Sequence, residues 1–72
     1  MDPYKKVREL LIRERKRAGL SQAALAERLG KPQSYVSKCE LGERRVDVVE
    51  FVEIADALGV DAAALVEELG RG

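Results

Sequence analysis

The chain has 72 residues, 46% hydrophobic and 36% charged, with thirteen Lys and Arg balancing thirteen Asp and Glu. It contains no histidine, no tryptophan and a single cysteine, which excludes a zinc site of the usual ligands, histidine-based acid–base or triad catalysis and an internal disulfide. The opening Met-Asp-Pro is not the basic start of a signal peptide, and no apolar run is long enough to cross a membrane, so a reducing cytoplasm is expected for the free thiol.

Ala, Leu, Glu, Arg and Lys dominate, prolines number two and no segment alternates as a strand, so the expected fold class is all-α. Helix 1 is predicted from Asp2 or Pro3 to Ala18, with Tyr4, Val7, Leu10, Leu11 and Ala18 on its apolar side, the basic run Arg13, Arg15, Lys16, Arg17 beside it and Gly19 closing it. Helix 2 is predicted over 22–29. Ser21 is its N-cap, Leu25, Ala26 and Leu29 form a narrow stripe, and Gly30 ends it before Pro32 fixes the backbone for the next start.

Helix 3, predicted over 33–40, has apolar residues at helical spacing only in Val36 and Cys39. So polar a helix is stable as an ordinary surface helix or as one facing a polar partner. Its side chains suit the major groove, because glutamine can bond an adenine edge with both ends of its amide and lysine favours guanine acceptors. Cys39 lies three residues after Val36 and is expected to be a small buried hydrophobe. Gly42 caps this helix, and a loop over 43–46 leads to Asp47, which with Glu50 spells a capping box for helix 4, ending at Leu58 before Gly59. Asp61 caps helix 5, predicted to about Leu69, with a disordered tail at Gly70-Arg71-Gly72. The expected core is Val7, Leu11, Leu20, Leu25, Ala26, Leu29, Val36, Cys39, Phe51, Ile54, Ala55, Leu58 and Leu65. No linker or repeat divides the chain, so residues 1–72 form one domain with a helix-turn-helix at about 21–41.

The string Leu20-Ser21-Gln22, Leu25-Ala26, Leu29-Gly30, Val36-Ser37 and Glu40 followed by Gly42 resembles the helix-turn-helix of the phage repressor and Cro family, the XRE family. The resemblance covers about residues 7–69 and implies a lambda-repressor-like five-helix domain that binds double-stranded DNA as a transcriptional regulator in a bacterial or phage-infected cytoplasm, on the nucleoid. Position by position it implies that Gln33, Ser34 and Lys38 read base edges. Gln22 would meet a phosphate and brace the first residue of helix 3, while Tyr35, Ser37, Lys31, Arg44 and Arg45 would touch backbone or flanking atoms. It also implies an ion pair between Arg15 and Glu40; the alternative reading of Arg15 is one more surface cation in a basic run.

Zero net charge argues against nucleic acid as a partner, but its distribution does not. Residues 1–45 hold twelve of the cations and six of the acids, and residues 46–72 hold one cation and seven acids, so the two parts carry +6 and −6. That pattern fits a basic binding face or simply two solvated helix surfaces. A domain this small reads few base pairs alone, and relatives often pair near the last helix, so a homodimer through Val60, Val66 and Leu69, with Val49 and Val52, is expected; edge packing of a small core would use the same residues. The alternative function is a protein-interaction module of this fold, an antitoxin or adaptor. No cofactor, metal, small-molecule ligand or enzymatic activity is expected. The sequence departs from the family pattern at Ile12, at Glu43 and at Lys31-Pro32 in the turn.

Overall fold

The computed structural model describes residues 2–71 as five helices: α1 (Tyr4–Arg17), α2 (Gln22–Leu29), α3 (Gln33–Leu41), α4 (Val48–Leu58) and α5 (Ala62–Gly70). Among the described residues there is no strand. Helix starts follow local chemistry: the Ser21 hydroxyl accepts the Ala24 N–H at 3.0 Å, and Asp61 accepts the Ala63 N–H at 3.0 Å. At the start of α4 Asp47 accepts the Glu50 N–H at 2.8 Å while Glu50 accepts the Asp47 N–H at 3.0 Å, a complete capping box. Helix α3 begins differently. Its N-cap is Pro32, which has no side-chain donor or acceptor, so the first-turn amides of α3 receive no side-chain cap.

The turn between α2 and α3 depends on Gly30, whose φ of 67° is left-handed, with the Lys31 N–H closing back on the Ala26 carbonyl at 3.0 Å. Open space surrounds the position where its Cβ would be, so the backbone angle alone demands glycine. Gly42, at φ 83°, carries a second constraint: a Cβ there would lie 2.9 Å from Arg8 Cζ.

Leu10 and Leu11 of α1, Leu25 and Ala26 of α2, Val36 of α3, Phe51, Ile54, Ala55 and Leu58 of α4, and Leu65 of α5 form the buried cluster. Each large member contributes roughly 1.5–3 kcal/mol on removal from water. Cys39 is buried on the same face of α3 as Val36, and burial pushes its thiol up, so it behaves as a packed hydrophobe.

The predicted core differs from this cluster in identifiable ways. Val7, Leu20 and Leu29 are only partly buried, at its edge, whereas Leu10 is fully inside. The buried face of α1 runs through Leu10, Leu11, Glu14 and Arg15, which turns Tyr4 outward; Ala18 is the C-cap and exposed. Ile12 is half-buried. Helix α1 starts at Tyr4 rather than Asp2 or Pro3, α3 runs one residue further, to Leu41, and α5 runs through Gly70 with Arg71 as its cap. Gly72, in the predicted tail, lies outside the described residues.

Candidate nucleic-acid interface

Helix α3 divides cleanly into two faces. Val36 and Cys39 point into the core, and the opposite face carries Gln33, Ser34, Ser37, Lys38 and Leu41 at helical spacing. Gln33, Ser34 and Lys38 are exposed, and Ser37 is half-buried. Leu41 is 69% exposed on this same face, a residue not singled out from sequence because it follows the predicted end of the helix. Its place one turn after Ser37 and Lys38 was the available signal.

The far end of α3 is clamped to α1. Arg15 Nε and Nη2 donate to the two Glu40 oxygens at 2.6 and 3.0 Å, and Arg15 Nη1 donates to the Leu20 carbonyl at 2.8 Å. Gln22 Nε2 donates to Glu40 Oε1 at 2.9 Å. One carboxylate thus joins α1, the start of α2 and the end of α3, with both charged side chains of the pair about nine-tenths buried. A two-pronged guanidinium–carboxylate contact fixes orientation as well as distance. Gln22 is bonded here to the C-terminal end of α3 rather than to Gln33 at its start, which revises the bracing role expected for it.

The α3–α4 loop is organised around Tyr35. Its half-buried ring has Lys31 Nζ 5.5 Å and Arg44 Cζ 4.8 Å from its centroid, distances at which a cation is attracted to the ring. Arg44 Nη2 in turn lies 2.6 Å from Glu50 Oε2. Burial, followed by the neighbouring Glu50 carboxylate, pushes the Tyr35 hydroxyl up to about 12, so it stays protonated at neutral pH. Arg45 takes another direction, its guanidinium 4.5 Å from the Tyr4 ring on α1. Tyr35 therefore acts first as a platform for two cations.

Arg44, followed by the Asp47 N–H, holds the Glu50 carboxyl down at about 2, against an ordinary 4.5. A carboxylate depressed in the folded state contributes stability that is present above its unfolded value and lost as pH falls through its folded one. The thermal midpoint is expected to fall between about pH 4.5 and 2. Glu50→Gln should flatten the part of that fall due to this group; Asp2 and Glu68, also lowered by arginine or backbone contacts, supply the remainder. Circular-dichroism melts of both proteins across that range check it.

A family model described as Helix-turn-helix matches residues 11–65. The chain belongs to the XRE family of helix-turn-helix proteins. It is 39% identical over 66 residues to an HTH-type transcriptional regulator of Sinorhizobium fredii, y4dJ, covering 92% of this chain and 86% of that protein. An XRE-family like protein from Pseudomonas syringae pv. tomato superposes with a TM-score of 0.92 at 45% identity, over 96% of this chain and 84% of that one. The family is one of DNA-binding regulators of transcription, and the fold is the all-α arrangement expected of it.

In this XRE-family domain much of the basic excess is used internally. Lys6 donates to the Glu68 carbonyl at 3.2 Å at the end of α5, Arg28 donates to the Ala57 carbonyl at 2.9 Å near the end of α4, and Arg13 forks onto Glu68. Cations at helix C-termini complement the helix dipole. Arg13 and Arg17 both reach the buried Glu14 at 2.8 and 3.1 Å. Among the described residues Lys5, Lys16, Lys31, Lys38 and Arg45 have no ion-pair partner; of these Lys31 lies in the turn and Lys38 on the outward face of α3.

An open groove of about 350 Å³ runs between α1, the α3–α4 loop, α4 and α5, with Val7, Phe51, Arg44 and Arg45 among its lining residues and Tyr4, Val48, Val52 and Val66 exposed along it. Val66 of the expected dimer residues is exposed there, whereas Val60 and Leu69 are partly buried against the chain's own core. Val49, 67% exposed, is not among the residues lining the groove. No group of Cys, Asp or Glu among the described residues is placed to hold a metal ion, and no helix is long and apolar enough to cross a membrane.

Proposed function

We propose that this protein is a sequence-specific double-stranded DNA-binding regulator whose α3 enters the major groove, acting as a homodimer on a two-fold operator of a bacterial chromosome. The observation that carries the reading is α3 itself: a helix locked from behind by Arg15 and Glu40 that presents Gln33, Ser34 and Lys38 outward, exposed. Gln33 and Lys38 have the donor and acceptor sets that discriminate adenine and guanine edges, Ser34 adapts to either, and Leu41 can meet a thymine methyl. Lys31, Arg44 and Arg45 supply phosphate contacts at the two ends of the unit, with Gln22, Tyr35 and Ser37 flanking, and so set affinity and register rather than sequence. The uncapped amides at the start of α3 add to a surface suited to an anion.

The dimer face we assign is Val66 with Val52 and Val48 across the groove; of the other residues expected from sequence, Val60 and Leu69 are partly buried and Val49 lies outside the groove. Val66, Val52 and Val48 form an exposed apolar patch of the kind that marks an interaction surface. A homodimer on a two-fold operator sets its two recognition helices about one DNA turn, roughly 34 Å, apart. Titration of a mixed-sequence duplex should show affinity falling steeply with salt as counterions are released. A flat response would favour the adaptor reading. Sedimentation should show a dimer that Val66→Asp dissociates; a monomer at high concentration would remove the two-fold operator from the proposal.

A further inference from the structure

Of the two loop arginines, Arg44 is the one whose charge is already engaged. Its Nη2 is 2.6 Å from Glu50 Oε2, its Nη1 donates to the Arg45 carbonyl at 3.3 Å, and its guanidinium stacks 4.8 Å from the Tyr35 ring centroid. Glu50 is fixed from the other side, because its Oε1 accepts the Asp47 N–H at 3.0 Å as half of the α4 capping box. The carboxylate cannot swing away without opening the first turn of α4. What it offers Arg44, a fixed anionic oxygen at hydrogen-bond distance, is what a DNA phosphate would offer.

We propose that Glu50 is a positioning residue for DNA binding: a built-in competitor of phosphate for Arg44, which sets how much of that arginine's charge the DNA receives. The inference rests on the reading of the chain as a DNA-binding protein with Arg44 on the backbone side. To engage phosphate, Arg44 must leave Glu50 and part of its contact with Tyr35, and that cost is independent of base sequence. Glu50 therefore restrains non-specific affinity and leaves discrimination to Gln33, Ser34 and Lys38. Arg45 has no carboxylate partner among the described residues and carries no such restraint.

Glu50→Gln separates the two jobs of this side chain. Glutamine also completes a capping box at this position, so the start of α4 is kept while the ion pair is lost. The variant should bind a short mixed-sequence duplex more tightly than wild type, with a salt slope steeper by about 0.9, the contribution of one additional neutralised phosphate. Its loss of affinity between about 50 and 200 mM salt should then exceed that of wild type by about 3.5-fold. In an Arg44→Ala background the same substitution should give no gain in slope.

An unchanged slope in Glu50→Gln would overturn the proposal. So would a gain that persists without Arg44, since it would come from the lost negative charge alone. Should Glu50→Gln melt below the assay temperature, both proteins are titrated at a lower temperature at which both are folded, with the same expected increase. Wild-type protein without salt-dependent binding would refute the DNA reading itself, and that arm is measured separately.

Discussion

Glu40→Ala is expected to lower the thermal midpoint by on the order of 20 °C. The substitution leaves Arg15, about one-tenth exposed, facing a void where it made two charge-assisted hydrogen bonds, and it also strips Gln22 of its acceptor. Removing one partner of a buried ion pair costs about 3–5 kcal/mol, because the survivor keeps its desolvation penalty without compensation. A domain of 72 residues has a total stability of roughly 4–11 kcal/mol, and each kcal/mol shifts the midpoint of so small a domain by about 4–8 °C. Glu40→Gln, which keeps an acceptor for Arg15, should lose less. Melts followed by circular dichroism decide this: an unchanged midpoint in Glu40→Ala would show that the clamp carries no net stability.

Gln33→Ala should weaken binding to the preferred DNA site by about 5- to 150-fold while leaving binding to unrelated duplexes unchanged. The range corresponds to the roughly 1–3 kcal/mol that a good two-pronged side chain–base contact contributes to discrimination. Gln33 is exposed in the first turn of α3, outside the core and the clamp, so its loss should not disturb folding. Arg45→Ala gives the contrast: it should lower affinity on every duplex alike and reduce the salt slope by about one phosphate. Competition binding against specific and mixed-sequence DNA separates the two patterns. Equal losses on both duplexes for Gln33→Ala would place Gln33 on the backbone rather than on a base.

Helix boundaries were legible in the sequence wherever a single local interaction sets them. The Ser21 cap, the Gly30 turn and the Asp47–Glu50 box each involve groups at most five residues apart. The α1 face was less legible. Its stripe passes through Glu14 and Arg15, and a hydrophobicity pattern cannot see that charged residues lie inside when their partners, Arg13, Arg17 and Glu40, come from exposed neighbours or another helix.

The pairing of Arg15 with Glu40 entered through family resemblance, since no spacing rule links positions 25 residues apart. The Tyr35–Arg44–Glu50 arrangement was hidden for the same reason: it joins α3 to the first turn of α4 through the intervening loop. Gln22 was assigned by analogy to one end of α3, and the geometry ties it to the other. The outward face of α3 was the most legible part of the candidate site, because polarity at helical spacing is visible without tertiary contacts.

Selection of bound sequences from a random pool of double-stranded DNA tests the central claim most directly. The account predicts enrichment of a two-fold motif whose half-sites are centred about one helical turn, roughly 34 Å, apart. The enriched bases should change when Gln33 or Lys38 is replaced. A pool that remains random after repeated rounds, with protein folded and bound to DNA only in proportion to its charge, would contradict it.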